Sequence, residues 1–145
     1  MIAIASDHAG LGLKNQLKAF LEKAGYNVKD FGTHSTESCD YPEYALTAAR
    51  SVVSGECERG ILVCGTGVGI SIAANKVAGV RCVCCSEPFS AVASRNHNDT
   101  NMLALGARVV GDELALMITR LWLEAEFEGG RHSSRLEQIA KIEKA

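Results

Sequence analysis

Short apolar runs alternate with longer amphipathic stretches along the whole chain. "IAIAS" (2–6) reads as a strand. Leu13, Leu17, Phe20 and Leu21 then recur at helical spacing, and Gly25 stands where a C-terminal cap belongs. "YNVKDFG" (26–32) predicts a second, weaker strand. A helix is expected from about Pro42, a residue tolerated in a first turn, with Asp40 or Tyr41 near its cap. "GILVC" (60–64) is continuously apolar, as a strand covered on both faces should be. "VGISIAANK" opens a helix, and "VRCVCC" (80–85) is the next strand. Ser86 is a candidate cap for a helix beginning near Pro88, and "NMLAL" (101–105) is the last strand. Leu114, Met117, Ile118, Leu121 and Trp122 form a helical stripe, and a short helix is expected from about Ser134 to Glu143. Five strands alternating with helices imply parallel crossovers, so the expected fold is α/β, a three-layer α/β/α sandwich on a five-stranded parallel sheet.

The 145 residues fit one domain, 1–145. With 47% hydrophobic and 22% charged residues, the composition is that of a globular chain. The net charge of −2 carries no block of like charges, which argues against a nucleic-acid partner. The start, "MIAIASDHAG", lacks the features of a signal peptide, and no apolar run has the length of a membrane span. Of the six cysteines only Cys82 and Cys85 fall at CxxC spacing, inside a strand run whose neighbours alternate faces, and all six are expected to be reduced thiols of a cytoplasmic protein, most of them small core residues.

Ligands of parallel sheets bind beyond the carboxyl ends of the strands. There the first strand leads into Ser6, Asp7 and His8, the third into "CGTGVG" (64–69), and the fourth into Ser86 and Glu87. Gly65, Gly67 and Gly69 allow positive φ and close approach, and their N–H groups at a helix mouth suit an anion; a plain strand-to-helix turn is the competing reading. The GxGxG spacing after a third strand is a poor dinucleotide fingerprint, and no Lys-Ser/Thr pair closes a Walker loop. A cysteine-phosphatase loop would want arginine where Ile70 stands. Cys64 is either a structural sulfur or a reagent. Adjacent amide donors and a helix N-terminus lower a thiol's pKa, and Thr66 is within reach of a hydrogen bond to the sulfur.

"SRNHNDTN" (94–101) holds Arg95, His97, Asn98 and Asp99. It joins helix to strand and so belongs to the opposite edge, where its polar crowding asks for a partner such as a second subunit. Arg131 and Arg135 lie four apart; on one helical face they would grip a phosphate, the alternative being a solvated basic turn. His34 and His132 carry less weight alone.

"SDHAG", "DYP", "CGTGVGISIAANK", "SEP", "RNHNDTN", "ARVVG" and "EGGRH" together closely resemble the ribose-5-phosphate isomerase B family, within a wider group that includes galactose-6-phosphate isomerase subunits. The resemblance spans nearly the whole chain. It implies a Rossmann-like fold, a homodimer or dimer of dimers with sites at the subunit interface, and no metal or other cofactor. It implies interconversion of ribose 5-phosphate and ribulose 5-phosphate through a cis-enediol(ate). By motif, Cys64 would be the base, assisted by Thr66. His97 would help to open the sugar ring, with Asp7 a partner. Asp7, His8, Tyr41, Gly65, Thr66, Gly67, Val68, Gly69 and Asn98 would line the sugar, while Arg108, Arg131 and Arg135 would hold its phosphate. The C-terminal helix would pack on the partner subunit. An isomerase for a six-carbon sugar phosphate and a non-catalytic nucleotide-binding module are the competing functions.

Overall fold

The computed structural model describes all residues 1–145. The elements run β1 (Ile2–Ser6), α1 (Leu11–Lys23), β2 (Val28–Asp30), α2 (Tyr41–Val53), β3 (Arg59–Cys64), α3 (Val68–Asn75), β4 (Cys82–Cys84), α4 (Pro88–Asn98), β5 (Met102–Gly106), α5 (Asp112–Glu124) and α6 (Arg131–Glu143). All strand pairs are parallel, in the order β2-β1-β3-β5-β4.

Strand alternation sorts the core into two layers. Ile2, Ile4, Ile61, Val63, Leu103 and Leu105 face Leu13, Leu17 and Leu21 of α1 and Ala115, Ile118 and Trp122 of α5. Ala3, Ala5, Leu62, Cys64, Met102 and Ala104 face the other way, against Ala45, Ala48, Ala49 and Val52 of α2 and Ile70 and Ala74 of α3. The central strands β1, β3 and β5 are therefore covered on both faces, as the unbroken apolar run of β3 requires. The result is the three-layer, Rossmann-like α/β/α sandwich.

The chain leaves β1 in one lateral direction to reach β2 and in the other to reach β3. The helices that follow β1 and β3 pack on opposite faces. A crevice is thereby left between the ends of β1 and β3, where such folds place their ligands.

Local signals worked where the backbone had one solution. Gly25 takes φ +95° just past α1, with its N–H on the Glu22 carbonyl and the Tyr26 N–H on the Leu21 carbonyl, a Schellman closure. Asp40 is the N-cap of α2. The expected cap Ser86 is displaced by Glu87, whose carboxylate accepts the Ser90 N–H at 3.0 Å. Pro88 explains this: it fixes the first helical residue and forces its predecessor into extended backbone. Helix α6 begins at Arg131, three residues ahead of the expected start. The cysteines also depart from expectation, since only Cys57 and Cys64 are buried and Cys84 is exposed. Three of the others lie on or beside β4, and β4 is an edge strand with one flank uncovered.

Lys14 sits on the inner face of α1 with no exposed surface, and its Nζ donates to Asp30 Oδ1 at 2.7 Å and to the Thr33 carbonyl at 2.6 Å. This ion pair fastens the segment between β2 and α2 against the end of β1. Lys14→Met is expected to lower unfolding free energy by about 3–5 kcal/mol, because Asp30 stays behind as a poorly compensated charge. Urea denaturation measures it, and a loss below about 1 kcal/mol would show that water relieves Asp30.

Candidate active site

The first cluster of functional side chains sits on the β1/β3 crevice. Cys64 ends β3 at 5% exposure, and its Sγ accepts the Gly67 N–H at 3.1 Å. Gly67 makes this possible with φ +80°, a left-handed turn that brings its amide back over the sulfur. A Cβ there would meet the Leu105 carbonyl carbon at 2.9 Å and Cys84 Sγ at 3.0 Å. The Gly65 and Thr66 N–H groups find no acceptor within the chain. The sulfur therefore stands among amide donors at the start of α3, a set of donors suited to an anionic oxygen of a ligand.

Thr66 departs from expectation. Its hydroxyl accepts the Val68 N–H at 3.2 Å and makes no bond to the sulfur; the Gly67 amide takes that place. A threonine two residues before a helix amide closes a local turn more readily than it reaches back.

Asp7 is nearly buried, with Oδ1 accepting the Gly10 N–H at 3.1 Å. His8 Nδ1 accepts the Cys39 N–H at 3.1 Å, so the neutral ring carries its hydrogen on Nε2. Tyr41 packs over the first turn of α3: a Cβ on Gly69 would lie 2.5 Å from its Cζ, so only glycine admits the ring there. Arg108 follows β5, donates its N–H to the Gly65 carbonyl at 3.0 Å, and lays its guanidinium along Gly65. Asp7, His8, Tyr41, Cys64, the 65–69 turn and Arg108 thus share one edge.

Burial pushes the Cys85 thiol up to about 11 and holds Cys82 and Cys84 above the usual thiol range, with repulsion from neighbouring sulfurs adding to it. In the crowded β4 run burial disfavours the thiolate form of all three sulfurs.

His97 and Asn98 lie elsewhere. They close α4, which leads into the start of β5; Met102 pairs beside Gly60, whereas Cys64 pairs beside Gly106. Four residues of strand, about 13 Å, separate the two edges. Around His97 the chain is firmly tied. Arg95 donates to Asp99 Oδ1 at 2.9 Å, Arg81 Nε donates to the Asn98 carbonyl at 2.9 Å, and Asp99 takes φ 45°. Beneath them Trp122 Nε1 donates to Thr100 Oγ1 at 2.9 Å.

Arg131 and Arg135 belong to this second edge, with Arg135 donating to the Arg131 carbonyl at 2.9 Å. Two further residues of "EGGRH" join them: His132, given little weight from the sequence alone, and Glu128, not singled out there. The His132 ring stacks on His97 with centroids 4.4 Å apart, and Glu128 Oε1 lies 3.8 Å from Nε2 of each histidine. Desolvation, then repulsion from His97 and Arg131, holds His132 below the usual imidazole range. No single copy of the chain brings the two edges together.

Known proteins resemble this chain over almost its whole length. The chain is 58% identical over 142 residues to ribose-5-phosphate isomerase B of Escherichia coli (strain K12), covering 98% of this chain and 95% of that one. It is 44% identical over 143 residues to D-erythrulose-4-phosphate isomerase of Pectobacterium atrosepticum, covering 98% of this chain and 94% of that one. Ribose-5-phosphate isomerase B of Clostridium thermocellum superposes with a TM-score of 0.98 at 58% identity, over 99% of this chain and 97% of the other. The sequence profile described as Ribose/Galactose Isomerase matches residues 2–139, and the chain belongs to that isomerase family.

Proposed function

We propose that this chain interconverts D-ribose 5-phosphate and D-ribulose 5-phosphate through a cis-enediol(ate), with Cys64 as the base. The observation that carries the reading is the Cys64 sulfur at the β1/β3 crevice, receiving the Gly67 amide at 3.1 Å beside the unpaired amides of Gly65 and Thr66. From the aldose, the thiolate takes the proton on C2. The C1 oxygen gains negative charge, and the free amides of the glycine turn are donors of the kind that stabilise it. The sulfur then returns the proton to C1 while the O2 proton moves to O1. One such donor is worth about 3–4 kcal/mol in a transition state.

Ribose 5-phosphate is a closed furanose and must open first. In this reading His97 is the proton donor for the ring oxygen, and Asp7 acts on the anomeric hydroxyl. They lie on opposite edges of one chain, so His97 and Asn98 reach the sugar from a neighbouring copy. The phosphate is held by Arg108 from one edge and by Arg131 and Arg135 from the other, and its binding energy fixes the reacting carbons. His8, Tyr41 and Val68 line the sugar. Exposed apolar side chains round the Cys64 edge support this assembly: Val68, Ile72, Phe89 and Val109 are 52, 55, 81 and 60% exposed. Helix α6 buries none of its residues and offers Ile139 and Ile142 to a partner. A homodimer makes two equivalent sites by its two-fold symmetry, and a dimer of such dimers makes four. No helix is long and apolar enough to cross a membrane, and all six cysteines are free, which fits work in a reducing cytoplasm.

Cys64→Ser is expected to lower kcat by about 10²–10⁴ with the circular dichroism spectrum unchanged; near-normal turnover would remove the sulfur from the mechanism. His97→Asn is expected to slow conversion of furanose ribose 5-phosphate while sparing exchange of a C1 hydrogen of open-chain ribulose 5-phosphate with solvent deuterium. Equal losses in both would contradict ring opening by His97. Arg135→Ala is expected to raise KM for the sugar phosphate about tenfold, through loss of a charge-assisted phosphate contact. An unchanged KM would take Arg135 out of the phosphate clamp.

A further inference from the structure

Glu128 stands where the chain passes from α5 to α6. Its N–H donates to the Asn96 carbonyl at 3.0 Å, which ties this link to the last turn of α4. The tether brings one carboxylate oxygen, Oε1, to 3.8 Å from Nε2 of His97 and 3.8 Å from Nε2 of His132. The imidazole planes are inclined by only 15° at 4.4 Å between centroids. His97 therefore has two neighbours, a carboxylate at its edge within ion-pair distance and a second ring across its face.

The ligand atoms of the trio lie within 4.8 Å of one another, close enough for a divalent cation. The surrounding charge favours a different use. Besides Glu128, the charged groups facing His132 are the Arg131 and Arg135 guanidiniums, and both repel added positive charge. Two stacked imidazoles this close also disfavour carrying two protons at once. An arrangement with one carboxylate and one neutral ring suits a single, oriented imidazole that exchanges a proton.

We propose that Glu128 is a positioning residue for ring opening: its carboxylate fixes the plane and edge of His97 against the His132 ring. This rests on His97 being the ring-opening donor. It extends that reading to a residue that touches neither the reacting carbons nor the phosphate arginines. Rotation of an unrestrained imidazole about its terminal torsion is broad, and a donor misplaced by about 1 Å loses on the order of a hundredfold in rate.

The test compares Glu128→Gln with His97→Asn in two assays on the intact protein. One is turnover of ribose 5-phosphate; the other is solvent-deuterium exchange at C1 of ribulose 5-phosphate, which requires enolisation and no ring opening. Glu128→Gln, nearly isosteric on an exposed side chain, is expected to lower ribose 5-phosphate turnover about tenfold or more, with C1 exchange and KM within about twofold of wild type. Glu128→Ala is expected to give the same split. If His97→Asn separates the two assays and both Glu128 variants leave turnover intact, the positioning role fails and ring opening by His97 stands. Should the Glu128 variants depress both assays equally or raise KM, Glu128 is only a structural tether. If His97→Asn itself shows no split, the underlying reading falls and this inference with it.

Discussion

A parallel sheet gives every strand the same polarity, and that single constraint organises this molecule. Each strand-to-helix turn emerges on one edge, and each helix-to-strand link returns on the other. The sulfur of Cys64 belongs to the first kind of connection and the imidazole of His97 to the second. Nothing within one chain brings them together, since the hydrogen-bonded register of β3 with β5 fixes their separation along the strands. A reaction that needs both groups therefore needs two copies, each giving one edge. The apolar side chains exposed around the Cys64 edge become intelligible on the same ground.

Within each edge, the chemistry is held by backbone devices more than by side-chain networks. On the Cys64 edge a left-handed glycine turns one amide onto the sulfur and leaves two others unpaired, while a second glycine lets the Tyr41 ring lie on α3. The alanines of α2 against those of β1 keep that layer thin, which sets α2 and Tyr41 close to the crevice. On the other edge the backbone is awkward, with a non-glycine residue at φ 45°, and it is held by Arg81 and Arg95 from both sides. Those arginines lie in the same motif as His97 or pair with it across the edge strand. Both tie down the link between α4 and β5 beside which His97 stands.

The sequence carried most of this, because alternation and capping are local. The two-sided burial of β3, the cap at Asp40 and the Gly25 closure each follow from residues within one turn of the chain. The edge problem of His97 was also legible, since it depends only on the order of elements. What escaped were features set by competition or by tertiary contact. Ser86 looks like the better cap, but Pro88 decides which residue stays extended. Thr66 has a local amide to bind and leaves the sulfur to Gly67. The cysteines of β4 have the composition of a core strand, yet β4 lies at the sheet edge, which only the strand order reveals. Glu128 and His132 meet His97 across roughly thirty residues of chain, and no periodicity announces such a meeting; their place in or beside a glycine-rich motif was the only local sign.

The central claim is that one copy's sulfur and its neighbour's imidazole serve the same sugar. Co-expression of a Cys64→Ser chain with a His97→Asn chain, each carrying its own tag, followed by purification through both tags, tests it directly. Each variant alone lacks one group in every site, whereas a mixed dimer contains one site with both groups intact and one with neither. The account requires the doubly tagged dimer to regain about half of the wild-type rate of ribose 5-phosphate turnover. If it remains as inactive as the parent variants, the two groups do not act in a shared site and the assembly argued above is wrong.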